Sequence, residues 1–235
     1  MMKIRGVIFD KDGTLIKFSK LWRLGLEELL EMCQLSENVK AEIKDKVGVN
    51  EDLTVRENSI IASGTIGDMA EVFSDYISKT KQEINREITE FFLEYLRNHP
   101  EMVVETCDLK TTFESLKKSG IAIGVVTADS YEQSKLSFEM LKLDSYIEFM
   151  ATGDVYANKP NPQSLDAFCS KFSLDRREVA VVGDSETDML LGKQAGLSIG
   201  VLSGVGTNEM LLKSADIVVQ SPSDAAAAIT DKYSR

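Results

Sequence analysis

The chain has 235 residues, of which 43% are hydrophobic and 28% charged, and its formal net charge at pH 7 is −11. This composition is typical of a globular protein with ample length for a hydrophobic core. The negative charge argues against general affinity for nucleic acid or for an anionic membrane surface, and no apolar run approaches the roughly 18 residues of a membrane span.

The cysteines and the first residues of the chain bear on its location. Cys33, Cys107 and Cys169 are far apart and form no metal-binding spacing. They indicate reduced thiols, and the first residues carry no signal-peptide pattern, so we expect a cytoplasmic protein. Nothing in the sequence indicates an obligate protein partner.

The first predicted element is a buried strand that ends in two closely spaced carboxylates. Ile4 to Phe9 form a β-branched apolar run, and Asp10 and Asp12 follow it directly. Open α/β sheets bind ligands at the carboxyl ends of their strands. Two buried carboxylates repel each other, and a hard divalent cation such as Mg²⁺ is the simplest relief. For this motif alone, a solvated Asp-Gly turn is the alternative.

The segment from about residue 18 to residue 98 has the 3.6-residue hydrophobic period of helices. No strand-like alternation interrupts it. The pattern predicts a bundle of about four helices inserted after the first strand. Between these helices, Asn58 to Asp68 is predicted to be a loop of small polar residues, and such loops often carry specificity.

After Pro100 the pattern changes to alternating helices and strands. Helices are predicted over 109–118 and 131–141 and after Pro162, and strands over 121–126, 147–151, 179–182, 198–202 and 216–219. This alternation predicts βαβ units and a parallel sheet. We therefore expect an α/β fold with a Rossmann-like parallel sheet in a core domain of residues 1–17 and 99–235, and an α-helical cap domain of residues 18–98.

Three of the predicted strands end in polar residues, and a lysine precedes one of them. These residues are Asp10 and Asp12, Thr127, Lys159, and Asp184 with Asp188. Parallel strands would bring them to one edge of the sheet. Several carboxylates can hold one hard cation there, while a hydroxyl and an ammonium group can bind an anion.

In this order, the motifs resemble those of the haloacid dehalogenase-like superfamily, in particular its phosphoglycolate phosphatase-like branch with a helical cap. The resemblance covers nearly the whole chain and depends on four motifs: Asp10-x-Asp12-Gly13-Thr14, Thr127, Lys159-Pro160 and Gly183-Asp184-x₃-Asp188. It implies a Mg²⁺-dependent phosphatase of a small phosphorylated metabolite, with 2-phosphoglycolate as the first candidate.

The resemblance also implies catalytic roles. Asp10 would attack the substrate phosphorus and become an aspartyl-phosphate, and Asp12 would act as general acid and then as general base. Thr127 and Lys159 would bind the phosphoryl oxygens. The helical insert would close over the site and exclude water.

For the metal, the resemblance implies Mg²⁺ bound by the side chains of Asp10 and Asp184 and by the backbone carbonyl of Asp12. Asp188 would lie beside the ion or orient Lys159. Because Asp12 is present, the resemblance disfavours dehalogenation.

The chain departs from the family pattern at Lys11, where an apolar residue is commoner, and at Ala128, where asparagine is frequent. Neither change removes a catalytic group, although Ala128 gives up one possible phosphate donor in the substrate-binding segment. In the insert, Arg56, Ser63 within the 59–65 loop, and Lys17 are the candidates for substrate specificity.

Three other functions remain open at this point. They are a phosphomutase of the β-phosphoglucomutase kind, an inorganic pyrophosphatase, and a phosphate-binding scaffold without catalysis. The presence of both Asp10 and Asp12 argues against the scaffold. The substrate stays undecided because the shape of the cap loops sets it.

Overall fold

The structure is a computed structural model that describes residues 3–17, 21–50, 52, 54–56 and 59–233. Its strands are β1 (Gly6–Phe9), β2 (Ala122–Val126), β3 (Phe149–Ala151), β4 (Val179–Gly183), β5 (Leu197–Val201) and β6 (Ile217–Val219). Its helices are α1 (Leu21–Met32), α2 (Glu37–Val47), α3 (Ile60–Ser63), α4 (Ile66–Ser74), α5 (Lys81–Asn98), α6 (Leu109–Lys118), α7 (Tyr131–Met140), α8 (Gln163–Phe172), α9 (Glu186–Gly192), α10 (Asn208–Leu212) and α11 (Pro222–Lys232). Within these ranges, no helix combines the length and the apolar composition needed to cross a bilayer.

The six strands form one parallel sheet in the order β3-β2-β1-β4-β5-β6. The chain builds the sheet outward from β1 in one direction and then returns to place β4 on the other side of β1. Such a reversal opens a crevice at the carboxyl ends of the two central strands, where α/β proteins bind ligands. The predicted α/β fold with a Rossmann-like sheet is confirmed.

The central strand is apolar throughout because both of its faces are buried. Val7 and Phe9 belong to the hydrophobic cluster on one face, which α6 and α11 cover. Ile8 belongs to the cluster on the other face, where α8 packs. Alternate residues of a strand point to opposite faces, so a strand covered on both sides reads as a continuous apolar run. The strand begins two residues later than predicted, since the Ile4 N–H donates to the carbonyl of Tyr233 outside the sheet.

Helices α1 to α5 lie between β1 and β2 and share a hydrophobic cluster of their own. Its buried members include Trp22, Leu30, Phe73 and Phe92. The helical nature of the insert is as predicted, whereas its division from the core as a separate domain stays a prediction. Phe18, at the start of the predicted insert, lies outside the described residues.

The predicted polar loop from Asn58 to Asp68 is wrong in part. Asn58 lies outside the described residues, but α3 and the start of α4 occupy much of the remainder. The short helix forms because Ile61 is buried in the hydrophobic cluster of the insert. Burial of one side chain therefore overrode the turn-like composition of the neighbouring residues.

We expect Phe168→Ala to lower the free energy of unfolding by about 3–5 kcal/mol. The Phe168 ring is fully buried and packs directly over Gly6 and Gly124, which have no side chains to fill the space it would leave. Urea denaturation measures the change. Phe172→Ala is the control, since that half-buried ring contacts Phe168 and should cost less. Equal losses in the two variants would contradict this account of the core.

Candidate active site

Three buried carboxylates meet where β1 and β4 end. Asp10 follows β1, Asp184 follows β4, and Asp188 lies in the first turn of α9. One oxygen of each lies within 4.8 Å of the others. The residues are only 9%, 2% and 1% exposed, respectively. The reversal of strand order thus places a dense acidic cluster in the crevice, as the strand-end argument predicted.

The carboxylate of Asp184 is fixed by two donors from different parts of the chain. The Thr14 hydroxyl donates to Oδ1 at 3.0 Å, and the Val205 N–H donates to Oδ2 at 2.8 Å. A Cβ atom at Gly13 or at Gly204 would collide with this carboxylate. Gly13 also has a φ of +83°, which glycine adopts readily. The two glycines therefore allow the backbone to enclose Asp184 closely.

Asp188 takes part both in the N-terminal cap of α9 and in the carboxylate cluster. Its Oδ2 accepts the Ser185 N–H at 3.0 Å and the Ser185 hydroxyl at 2.5 Å, which closes the capping box of α9. Its Oδ1 accepts from Lys159 Nζ at 2.6 Å. One oxygen of Asp188 thus caps the start of α9, and the other contacts Lys159.

Lys159 connects the cluster. It lies in the loop between β3 and α8, and its ammonium group is 2.5 Å from Asp10 Oδ1 and 2.6 Å from Asp188 Oδ1. When ionised, the three carboxylates carry three negative charges against the single positive charge of Lys159. Two negative charges are therefore uncompensated within this group.

Burial and mutual repulsion change the proton affinities of these groups. Burial, followed by the charge of Asp188, raises the pKa of Asp184 to about 7. Burial also raises the pKa of Asp10 well above its ordinary value; Lys159 opposes this rise, and Asp188 and Asp184 add to it. For Lys159, burial disfavours the charged form, but the carboxylates of Asp10 and Asp188 outweigh burial and raise the pKa. The cluster thus favours a cation or protons.

The carboxylate cluster fits a divalent cation by the chemistry of its donors. Carboxylate oxygens are the ligands that Mg²⁺ prefers, and two uncompensated charges match its charge. Asp10, Asp184 and Asp188 are the residues whose side chains could hold it. Asp12 is not part of this carboxylate cluster, and its Oδ2 pairs with Lys11, 2.6 Å from Nζ. For Asp12, the predicted metal contact is through its backbone carbonyl.

Thr127 and Ala128 line the same cavity as Asp10, Asp12 and Lys159. Thr127 directly follows β2 and is buried. Its Oγ1 accepts the N–H of Asp129 at 3.2 Å, so its O–H hydrogen is available to a ligand in the cavity. A hydroxyl and an ammonium group are thus positioned to bind an anion beside the carboxylates.

The helical insert closes the cavity from the other side. Its lining residues there are Trp22, Ile60, Ile61, Ala62, Ser63, Gly64, Thr65, Ile66 and Met69. The cavity volume is about 40 Å³, room for about three water molecules by the usual measure of cavities. With the insert in this position, little free space remains beside Asp10 and Lys159.

The specificity candidates of the insert lie in different places. Ser63 lines the cavity. Arg56 does not join it, because its guanidinium pairs with Asp45 on the surface of the insert, with Nη1 2.7 Å from Asp45 Oδ1. Lys17 is exposed and is absent from the described cavity lining. The structure thus brings together the predicted site residues of the core and Ser63, but neither Arg56 nor Lys17; these core residues are Asp10, Asp12, Thr127, Ala128, Lys159, Asp184 and Asp188.

Sequence reasoning missed one pair of residues next to the site. Lys11 is buried between Asp12 and Asp129, with its ammonium group 2.6 Å from Asp12 Oδ2 and 2.7 Å from Asp129 Oδ2. A charged residue between two aspartates at the end of an apolar strand was the available signal. It stood out as a departure from the family pattern but received no role.

Comparison with protein families gives a match over most of the chain. A family model described as haloacid dehalogenase-like hydrolase matches residues 7–201. The match begins in β1 and ends with β5, so it includes every motif residue of the cavity.

Individual relatives and solved structures resemble the chain over nearly its full length. A phosphoglycolate phosphatase from Aquifex aeolicus is 25% identical over 94% of this chain and 94% of its own. Pyrophosphatase PpaX from Bacillus thuringiensis is 23% identical over 98% of each chain. The crystal structure of CbbY from Rhodobacter sphaeroides in complex with phosphate superposes with a TM-score of 0.71 at 18% identity, covering 94% of this chain and 96% of that one. The structural likeness shows a shared fold.

We expect Asp184→Asn to gain stability relative to the unchanged protein as the pH rises, when no divalent cation is present. In the folded state the pKa of Asp184 is raised to about 7, whereas in the unfolded chain it is about 3.9. The folded state therefore binds the extra proton, and its stability falls as the pH rises through this window. Asparagine carries no such proton.

The measurement is urea denaturation in a chelator at about pH 5 and about pH 8. The difference in unfolding free energy should shift in favour of Asp184→Asn by at least about 1 kcal/mol between the two conditions. Asp144→Asn, an exposed site away from the cavity, is the control and should show no shift. A difference independent of pH would show that burial of Asp184 does not raise its pKa.

Proposed function

The chain belongs to the haloacid dehalogenase-like hydrolase family and is a hydrolase of the phosphatase kind, and we propose that it hydrolyses a small phosphorylated metabolite with Asp10 as nucleophile and Mg²⁺ as cofactor. One geometric feature carries the proposal. Asp10 lies at the end of the central strand, in a closed cavity, with Lys159 on one of its oxygens and Asp12 two residues further along the chain.

Asp10 has the surroundings of a nucleophile for phosphoryl transfer. Lys159 holds Oδ1 at 2.5 Å, which leaves Oδ2 to attack phosphorus. As the new O–P bond forms, the bond between phosphorus and the leaving oxygen breaks, and the phosphoryl group stays on Asp10. The ammonium group of Lys159 and the hydroxyl of Thr127 lie where they can bind the phosphoryl oxygens.

Asp12 is suited to move the protons. It lines the cavity together with Asp10. We assign it the transfer of a proton to the leaving oxygen in the first step. In the second step it would accept a proton from the water that attacks the phosphorus, which releases phosphate and restores Asp10.

Asp10, Asp184 and Asp188 would hold Mg²⁺ in the proposed enzyme, because they are buried, close together and short of positive charge. When bound, the ion would neutralise negative charge on the phosphoryl group as a Lewis acid. Thr14 and Val205 would keep Asp184 oriented toward it through the two hydrogen bonds described above.

The substrate we propose first is 2-phosphoglycolate. Support comes from the relative named phosphoglycolate phosphatase, which matches 94% of each chain, and from the small cavity, which favours a small leaving group. Inorganic pyrophosphate is the second candidate. It is also small, and the relative named pyrophosphatase PpaX matches 98% of each chain.

We expect the protein to release phosphate from a panel that contains 2-phosphoglycolate, pyrophosphate and sugar phosphates, and to require Mg²⁺ for it. Asp10→Asn should lower kcat by at least about 10³-fold, because the amide is not a competent nucleophile. Asp144→Asn is the matched control at an exposed position and should retain full activity. The substrate with the highest kcat/KM identifies the role of the protein.

Two results would contradict this proposal. Undiminished turnover in Asp10→Asn would exclude Asp10 as the nucleophile. If no compound released phosphate, but a sugar phosphate isomerised in the presence of a sugar bisphosphate, the protein would instead be a phosphomutase.

We expect Mg²⁺ to raise the midpoint of thermal unfolding of the unchanged protein in a concentration-dependent manner, because a ligand of the folded state stabilises it by mass action. Asp184→Asn should need at least about tenfold more Mg²⁺ for the same shift, since it loses a charged ligand. Asp144→Asn should respond as the unchanged protein does. Equal Mg²⁺ responses in all three proteins would exclude Asp184 from the metal site, whatever their activities.

A further inference from the structure

A second ion-pair network lies beside the proposed catalytic cluster. Lys11 is 1% exposed, and its ammonium group contacts Asp12 Oδ2 at 2.6 Å and Asp129 Oδ2 at 2.7 Å. Asp129 is 7% exposed. The network shares no residue with the group of Asp10, Lys159, Asp184 and Asp188. The steps proposed above give no role to Lys11 or to Asp129.

Hydrogen bonds hold the backbone at both ends of the Lys11–Asp129 pair. The Asp129 N–H donates to Thr127 Oγ1 at 3.2 Å, and its carbonyl accepts the Gly153 N–H at 2.9 Å. The carbonyl of Lys11 accepts the N–H groups of Leu15 and Ile16, each at 2.9 Å. The backbone of both residues is thus held in place, and burial together with the two carboxylates restricts the Lys11 ammonium group.

Asp12 and Asp129 both line the cavity, and Asp12 lies only two residues beyond Asp10. One oxygen of Asp12, Oδ2, is held by Lys11. We take the other oxygen, Oδ1, as the one that serves a group in the cavity. An apolar side chain at position 11 would pack there but could not hold a carboxylate in one orientation.

We propose, on the basis of the function proposed above, that Lys11 is a positioning residue that uses Asp129 as its anchor and holds the carboxyl group of Asp12 in line with the leaving oxygen of the substrate. Lys11 is absent from the described cavity lining and acts only through Asp12. A proton donor that is free to rotate would lose effectiveness as an acid while the nucleophile stayed intact.

If Lys11 only balanced the charge of its neighbours, its loss would slow all substrates alike. If Lys11 orients Asp12, its loss should slow substrates according to how much their leaving groups need a proton. Ethoxide is a poor leaving group that needs a proton as it departs, whereas p-nitrophenolate leaves without one. Disordering Asp12 should therefore slow the cleavage of ethyl phosphate much more than that of p-nitrophenyl phosphate. A purely structural loss would slow both substrates alike.

The experiment compares kcat/KM for these two substrates, since this constant reports the step in which the leaving group departs. The variants are Lys11→Met and the double variant Lys11→Met with Asp129→Leu. The double variant removes the whole ion pair with similar side-chain volumes, a replacement that buried ion pairs commonly tolerate. It keeps the test valid where the single variant leaves Asp129 buried without its partner and fails to fold.

We expect kcat/KM for ethyl phosphate to fall at least about tenfold more than for p-nitrophenyl phosphate in the folded variants. Lys40→Met is the matched control, because Lys40 is also a buried lysine between two carboxylates, Glu31 and Glu37, but lies in the insert. It should change kcat/KM for both substrates by the same factor.

Equal losses for the two substrates in the double variant would overturn the proposal and leave Lys11 with charge compensation alone. The phosphatase function itself fails in a different way. In that case the unchanged protein would cleave neither substrate, or Asp10→Asn would remain active, and the inference about Lys11 would fall with it.

Discussion

The mutual repulsion of three buried carboxylates is the constraint on which the site depends. Asp10, Asp184 and Asp188 would separate if the backbone allowed it, because their charges repel in a poorly hydrated crevice. They cannot separate, since β1 and β4 are hydrogen-bonded neighbours and α9 begins directly after β4. Positive charge relieves this repulsion: Lys159 supplies one charge, and the proposed Mg²⁺ would supply two more.

The same constraint makes the site a product of the complete fold. Asp184 takes its hydrogen bonds from Thr14, which follows the first strand, and from Val205, which follows the fifth. Lys159 arrives from the loop after the third strand. Each partner is distant in the sequence, so none of these contacts exists until the sheet has formed. Stability of the sheet and orientation of the carboxylates are therefore linked.

Much of this was predictable from the sequence, for physical reasons. Strands buried on both faces leave continuous apolar runs, and parallel strands bring their carboxyl ends together, so the motif residues could be placed at one edge. The short helix α3 was not predictable, because burial of Ile61 decided it. Arg56 was a candidate by charge alone, and only the fold shows its pairing with Asp45. The Lys11–Asp129 contact joins two loops that are far apart in the sequence, so no local sequence pattern could predict it.

Two aspartates separated by one residue would ordinarily share one environment. Here Asp10 and Asp12 pair with two different lysines. Asp10 meets Lys159, which it shares with Asp188, whereas Asp12 meets Lys11, which it shares with Asp129. Because the first cation comes from a separate loop and the second from the residue between the aspartates, the two carboxyl groups are oriented independently. The nucleophile and the proton donor of the proposed mechanism need such independence, since one would face phosphorus and the other the departing oxygen. The residue between them is therefore part of what makes the two aspartates different.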